Sequence, residues 1–350
     1  MFRRSSGTSS ENDIARLVRL AVLGLALTLI VLCVCSIMGR YPWSAGGMSE
    51  ILSGTIFESP IWRTRVFRLL AAAIVGAALA VAGTSLQAIL RNPLAEPYVL
   101  GLSSGSGVGV LVGSLLAQAG LLPGWAGGFS LALIGAAATA VVVFIVAQRN
   151  GRLDPYVLLL TGVIANMFNG AVCLLLLQFV DQEGVVLFVG WGMGRIPEHL
   201  WFHLGLLYFS TFVLFTGWGL ILLRGAAYNV LSLGEDTAVR CGVATKRLRI
   251  ESYIVVSALT AAAVTLAGPI GFVGLIVPHA CRMIVGPEHR SLALISGFAG
   301  AVFLMSADTT CRLLGEAFQI GELPVGVVTA MIGGPFFLYI LRRRMGEVSL

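Results

Sequence analysis

Ten apolar runs, separated by short polar or Pro/Gly breaks, govern what this chain can become. They cover roughly residues 17–38, 66–90, 98–118, 126–148, 156–180, 201–223, 250–268, 271–286, 292–312 and 324–341. Most reach the roughly 20 residues that an α-helix needs to cross a hydrocarbon core about 30 Å thick. In lipid, a spanning segment must satisfy its own backbone N–H and C=O groups, so helices are the expected form of these runs. The 350-residue chain is 57 % apolar and only 11 % charged. A soluble domain carries roughly 25 % charged residues. The expected fold class is therefore an all-α polytopic membrane protein of about ten transmembrane helices, with residues 1–350 forming a single transmembrane domain. A disordered chain, a disulfide scaffold and a secreted enzyme are excluded at this level.

Basic residues test the map. With the N-terminus inside, 17 Lys or Arg fall on the cytoplasmic side and 6 outside, the latter being Arg40, Arg63, Arg65, Arg68, Arg195 and Arg312. This is a positive-inside bias, and an even number of spans then leaves both termini cytoplasmic, with residues 1–16 as an N-terminal tail. The first run is too long for a secretory leader and no A-x-A site follows it, so it is expected to be an uncleaved span. The net charge of +6 does not indicate a nucleic-acid partner, because no long basic tract with interleaved aromatics lies outside the apolar runs. The six cysteines form no CxxC pair and read as packing residues or free thiols.

Several local patterns carry expectations. Gly101, Gly105, Gly109 and Gly113 recur every four residues, which on a helix makes a smooth strip for a neighbouring backbone. Gly101-Leu-Ser-Ser-Gly105 also matches G-x-S-x-G, but a nucleophile elbow needs a preceding strand and trailing Asp and His. The run at 271–286 is short and contains Pro278, which predicts a broken or tilted helix. Ala82-Gly83…Pro93 and Ala267-Gly268…Pro278 share their spacing and hint at an inverted repeat. The polar segments Gly39–Arg65 (outside) and 225–249 (inside) are long enough to have tasks of their own. Within the second, Leu231, Leu233, Ala238 and Val239 would form one apolar stripe on a short helix.

Ionisable residues near the apolar runs are candidate sites. Asp308 and Arg312, four apart, would form an intrahelical ion pair or a functional site. Arg65 and Arg68 open the second run on the same outer side, where three arginines would suit an acidic partner. His199 and His203, beside Glu198, share a helix face and are a candidate ligand contact. The chain has no GxxxxGK[ST] and no Gly-Lys dipeptide, hence no P-loop; ATP, if used, must bind another subunit.

Four stretches taken together resemble one family. They are Arg91-Asn-Pro-Leu-Ala-Glu-Pro-Tyr-Val-Leu-Gly-Leu-Ser-Ser-Gly-Ser-Gly, Leu231-Ser-Leu-Gly-Glu-Asp-Thr-Ala with Gly242-Val243, Gly268-Pro-Ile-Gly-Phe-Val-Gly-Leu-Ile-Val-Pro-His with Arg282, and Glu322-Leu-Pro-Val-Gly with Gly333-Gly-Pro-Phe-Phe. From about Arg65 to the C-terminus the chain resembles the FecCD-type permeases, membrane subunits of ABC importers for iron-siderophores, haem and cobalamin. The resemblance implies the type II ABC importer permease fold in the bacterial plasma (inner) membrane. It implies a homodimer or close heterodimer with the pathway between two permease copies, two ABC ATPase subunits on the cytoplasmic side, and an extracytoplasmic binding protein. The chain itself would be a transport subunit, not an enzyme, binding no cofactor, with ATP-Mg held by the ATPases. By the same resemblance, Arg65, Arg68 and Arg312 receive the binding protein; Leu231, Gly234, Glu235, Ala238 and Gly242 couple to the ATPase; and Pro155 and Tyr156 lie near the inner gate.

The competing expectation is an ion-coupled secondary transporter of a small or medium-sized solute. It needs a carboxylate within the bilayer, for which Asp308 is the candidate, with Arg312 to neutralise it. An intramembrane enzyme would need convergent nucleophile, base or metal residues in adjacent runs, and none is apparent.

Overall fold

The computed structural model describes residues 6–38, 59–149, 151–197 and 200–348, and the side chains of residues 14–38, 59–123, 131–149, 151–197, 204–338 and 342. The described residues are helical almost throughout. The elements are α1 (Ser6–Ile37), α2 (Pro60–Leu90), a 3₁₀ turn (Pro97–Leu100), α3 (Leu102–Gln118), α4 (Gly124–Ala147), the strands β1 (Gln148–Arg149) and β2 (Arg152–Leu153), α5 (Pro155–Leu176), α6 (Gln182–Gly192), α7 (Leu200–Ser232), α8 (Glu235–Arg240), α9 (Thr245–Ala267), α10 (Val273–Val285), α11 (His289–Phe318) and α12 (Val325–Val348). The two strands form a minimal antiparallel hairpin between α4 and α5.

Each of the ten apolar runs coincides with a helix. Among the described residues, six helices are long and apolar enough to cross a membrane, and four shorter apolar ones lie at 102–118, 131–147, 273–285 and 325–338. Some boundaries differ from the expectation. Helix α1 begins by Ser6, so most of the segment set apart as a tail joins the first helix. Of the connection expected at Gly39–Arg65, residues 39–58 lie outside the described residues and 60–65 belong to the first turns of α2. Helix α7 runs on to Ser232 and α9 starts at Thr245, which shrinks the 225–249 segment to a short link around α8. Helix α6 was not anticipated; Asp181 caps it by accepting the Gly184 N–H at 2.9 Å.

Helix α2 is the central post. It packs on α11, α9, α7 and α10, and nearly all of its length from Phe67 to Ile89 is buried. Small residues make this possible, because van der Waals contact between backbones must replace the hydrophobic drive that lipid does not supply. At the α2–α11 crossing, a Cβ on Gly76 would overlap the Gly300 carbonyl, and one on Gly300 would overlap that of Gly76. Two turns further on, Gly83 of α2 meets the Gly274 carbonyl of α10 in the same way. The glycine strip behaves as its spacing predicts: Gly105 and Gly109 of α3 lie against Gly135, Thr139 and Leu131 of α4. Gly101 (φ 82°) turns the chain into α3 after a 3₁₀ turn, not a strand, and Ser103 is buried in the helix packing. The G-x-S-x-G match is therefore structural.

The proposed internal echo does not hold. Gly83 sits inside α2, which continues to Leu90, whereas Gly268 (φ 70°) ends α9; Pro93 lies in a loop and Pro278 inside α10. Pro278 does not break its helix either: α10 runs unbroken from Val273 to Val285 with the proline inside it, against the expected break. Between α9 and α10 the chain crosses residues 268–272 and enters α10 through Phe272, at φ 69°. The carboxylate of Glu96, from the turn before α3, accepts the Phe272 N–H. Gln87 of α2 bridges the same region, donating to the Gly274 carbonyl at 3.3 Å and accepting from Arg282 at 3.1 Å.

Gly76→Leu should force α2 and α11 apart and cost about 1–3 kcal/mol, the usual penalty for overpacking. Thermal unfolding of the purified chain in detergent will read the loss, and an unchanged midpoint would contradict the backbone contact.

Candidate functional site

Functional side chains gather at two opposite ends of α2. Arg68 and Ser85 mark them; seventeen residues of helix separate the pair by about 26 Å.

At the first end, the three expected arginines occupy three different environments. Arg68 is buried and holds Asp308 of α11 with two hydrogen bonds, Nε to Oδ2 and Nη2 to Oδ1, each 2.9 Å. Its Nη1 reaches the Glu322 carboxylate as well. This fork-to-fork geometry is the strongest form of the Arg–carboxylate pair. The expected Asp308–Arg312 intrahelical pair is thus replaced by one that crosses from α11 to α2. Arg312 is also buried and turns the other way, donating Nη2 to the carbonyls of Cys35 (3.3 Å) and Met38 (3.2 Å) at the end of α1. It satisfies carbonyl groups that the last turn of a helix leaves open. Arg65 is half-buried. All three line a depression of about 350 Å³ together with Pro60, Glu316 and Glu322.

At the second end stands α8, six residues long, entered through Gly234 at φ 129° and left through Gly242 at φ 80°. The apolar stripe expected here is split. Leu231 belongs to the last turn of α7 and, like Ala238, is fully buried, while Leu233 is 73 % and Val239 58 % exposed. Glu235 faces inward, accepting from Arg249 Nη1 at 3.2 Å and Nη2 at 2.9 Å. Of the residues expected to couple, Leu231, Glu235 and Ala238 therefore anchor α8, and Gly234 and Gly242 shape its ends. The accessible surface is made by Leu233, Asp236, Val239 and Arg240. These residues line a concavity of about 1010 Å³ with Arg91, Arg152 and Lys246 from other elements. Leu233 and Val239 stood in the expected stripe, whereas Asp236, Arg240, Arg91, Arg152 and Lys246 were not anticipated as part of this surface.

Both flanks of α8 are tied into the bundle. The Tyr228 hydroxyl of α7 bonds Ser85 of α2 (2.9 Å) and Ser252 of α9 (2.7 Å). Asn229 donates to Glu288 at 3.1 Å and accepts the His289 N–H at 2.8 Å, fixing α7 to the start of α11. Glu288 caps α11 by accepting the N–H groups of Arg290 and Ser291. Burial pushes its pKa up, but those N–H groups and the Asn229 amide outweigh burial and hold the carboxyl below its ordinary value.

Pro155 opens α5 at its first position, and Asp154 caps it by accepting the N–H groups of Tyr156 (2.9 Å) and Val157 (3.2 Å). Tyr156 is 75 % exposed and begins an outward apolar face that continues through Leu160, Ile164, Met167 and Phe168. His199 lies outside the described residues, as does the side chain of His203. Among the described residues no group of three or more His, Cys, Asp or Glu is placed to hold a metal ion. All six cysteines are free, four of them buried.

The arrangement is that of a helical bundle with a charged depression at one end of α2 and a short, partly apolar helix at the other. The chain belongs to the FecCD transport family, whose sequence pattern matches residues 27–343. It is 36 % identical to the cobalamin import system permease BtuC of Halobacterium salinarum, over 94 % of this chain and 88 % of that one. It is 35 % identical to the hemin transport system permease HmuU of Yersinia pestis, over 92 % and 96 %. A solved metal-chelate type ABC transporter in an inward-facing conformation superposes with a TM-score of 0.76 at 30 % identity, covering 93 % of this chain and 99 % of that one. The protein is therefore a multi-pass permease of the bacterial plasma membrane, a transport subunit of the metal-chelate, cobalamin and haem type of ABC importer.

Removing one member of the buried pair leaves the other charge unpaired, at a cost of about 3–5 kcal/mol. Arg68→Met alone should therefore destabilise the chain more than Arg68→Met combined with Asp308→Leu. Unfolding midpoints of the single and double variants will show the non-additivity, and simple additivity would argue against the pair.

Because the Glu288 carboxyl is held below its unfolded value, it stabilises the fold above the ordinary glutamate pKa of about 4.3. That contribution fades as pH falls through the lower folded value. Glu288→Gln should flatten the acid limb of the stability profile, and an unchanged limb would assign the acid sensitivity elsewhere.

Proposed function

We propose that this chain is the membrane-spanning subunit of an ATP-driven importer that moves a bulky metal chelate, an iron-siderophore, haem or cobalamin, into the cell. In this reading all ten apolar helices traverse or enter the bilayer, both termini are cytoplasmic, and α8 faces the cytoplasm.

The observation that carries the reading is the α8 end. Leu233 in the turn before α8 and Val239 on α8 are large apolar side chains left exposed, beside a basic concavity that includes Arg91, Arg152, Arg240 and Lys246. A soluble ATPase subunit would cover them, and two such subunits would serve a pair of permeases. Force applied to α8 enters the bundle through Glu235–Arg249 and through the Tyr228 and Asn229 contacts, and rigid helices respond by rocking.

At the opposite end an extracytoplasmic binding protein would dock. Arg65 offers the most accessible guanidinium of the three; Arg312 lines the same depression, and Arg68 sets its floor. Charge complementarity there would steer and orient the incoming partner. A second permease copy would pack along the exposed α5 face, placing Tyr156 and Pro155 near the cytoplasmic mouth of the shared pathway. ATP-Mg would remain on the ATPases. Asp308, the carboxylate that an ion-coupled carrier would employ, has both oxygens on Arg68, which weighs against that alternative.

Proteoliposomes test the reading. Uptake of chelate should require the ATPase subunits and ATP, and should persist when the proton gradient is collapsed. Full uptake without the ATPases would sink it. Leu233→Asp should weaken ATPase association while leaving the permease folded, and Arg65→Glu should weaken capture of the binding protein most strongly at low salt, where exposed charges are least screened.

A further inference from the structure

Two cavities on the flank of the bundle follow one another along α9 and meet at Ile254, tracing a groove. The first, about 420 Å³, lies between α7 and α9 close to the α8 end and is walled by Leu220, Ile221, Ile254 and Val255. Its mouth is charged. Arg224 and Arg247 both bind Glu251, Arg224 Nη2 at 2.7 Å and Arg247 Nε at 2.6 Å. Two guanidiniums sharing one carboxylate leave an excess of one positive charge. The second cavity, about 500 Å³, runs further along α9 between α4 and α7 and presents only apolar surface, from Val141, Phe144, Phe209 and Ala258 among others. Ile254, 57 % exposed, lines both.

We propose that this groove binds one anionic phospholipid, its phosphate against Arg224 and Arg247 and an acyl chain along α9. Length, charge and polarity agree on that occupant. From Arg247 to Ala261, the groove's ends on α9, fourteen residues of helix span about 21 Å. One leaflet with its headgroups measures about half of a 40–45 Å bilayer. A phosphodiester carries the single negative charge that the mouth lacks, and guanidinium forks suit phosphate oxygens. A zwitterionic lipid would bring a second cation towards two arginines. Basic pockets between membrane helices favour anionic headgroups for this reason. The apolar length below is where acyl chain replaces solvent, and Leu223, 75 % exposed on α7, extends the lipid-facing surface beside it. Because α7 and α9 are the two supports of α8, a lipid seated between them would brace the short helix.

Native mass spectrometry of the full chain, released from detergent after incubation with phosphatidylglycerol or phosphatidylcholine of matched acyl chains, tests the site. The wild type should retain phosphatidylglycerol preferentially. Arg247→Gln, a change at an exposed side chain, should lower that retention about fivefold, the value of one arginine at an anionic surface. Ala258→Trp, which fills the exposed apolar stretch without altering charge, should lower it as well. Equal retention of the two lipids by the wild type, or unchanged phosphatidylglycerol retention in both variants, would overturn the proposal. So would a dimer whose formation expels both lipids from the groove, since a second copy would then be its occupant.

Discussion

Helices in lipid gain little by hiding apolar side chains from one another, so close backbone contact has to hold them together. In this protein that contact is concentrated on α2, where Gly76 meets Gly300 of α11 and Gly83 meets Gly274 of α10. Once α2 is fixed, the rest is placed in relation to it. Its first turns present Arg68 to Asp308, the stretch around Gly83 receives α10, and its last turns carry Ser85 and Gln87 to partners on α7 and α10. Trp218 shows the same economy on the next helix: Gly297 of α11 makes room for the indole, whose N–H donates to the Ala293 carbonyl at 3.0 Å.

Polar groups buried in such a bundle are expensive unless paired, and the pairs found here join helices distant in sequence. Arg68–Asp308 ties α2 to α11, Arg312 ties α11 to α1, Tyr228 ties α7 to α2 and α9, and Glu96 reaches across to Phe272. Each fixes the relative height of two helices that could otherwise slide along a smooth glycine surface. The bundle is therefore greased for close approach and pinned against slippage by a few charged or hydroxyl contacts.

What could be read from the chain in advance follows the range of the forces concerned. The ten helices were legible because length and apolarity are local properties, and the glycine strip of α3 because its spacing alone defines a face. The partner of Asp308 was not: Arg312 lies one turn away, while Arg68, which actually binds it, is 240 residues distant. Glu235 was expected at an outward contact because the family resemblance implies one there, yet Arg249, fourteen residues on, draws it inward. Leu231 and Leu233 were placed on one stripe because the extension of α7 to Ser232 could not be seen from periodicity, and that extension puts them in different environments. Glu96 escaped notice for a related reason, since its value depends on a loop that approaches it only in three dimensions.

Helix α7 has 33 residues, a rod of about 50 Å, and α8 hangs from one tip of it by two residues, Leu233 and Gly234. Such a proportion turns a small handle into a long crank. A tilt of a few degrees at the tip that carries α8 sweeps the far extremity through several ångströms, so a modest push there is felt at the opposite end of the bundle.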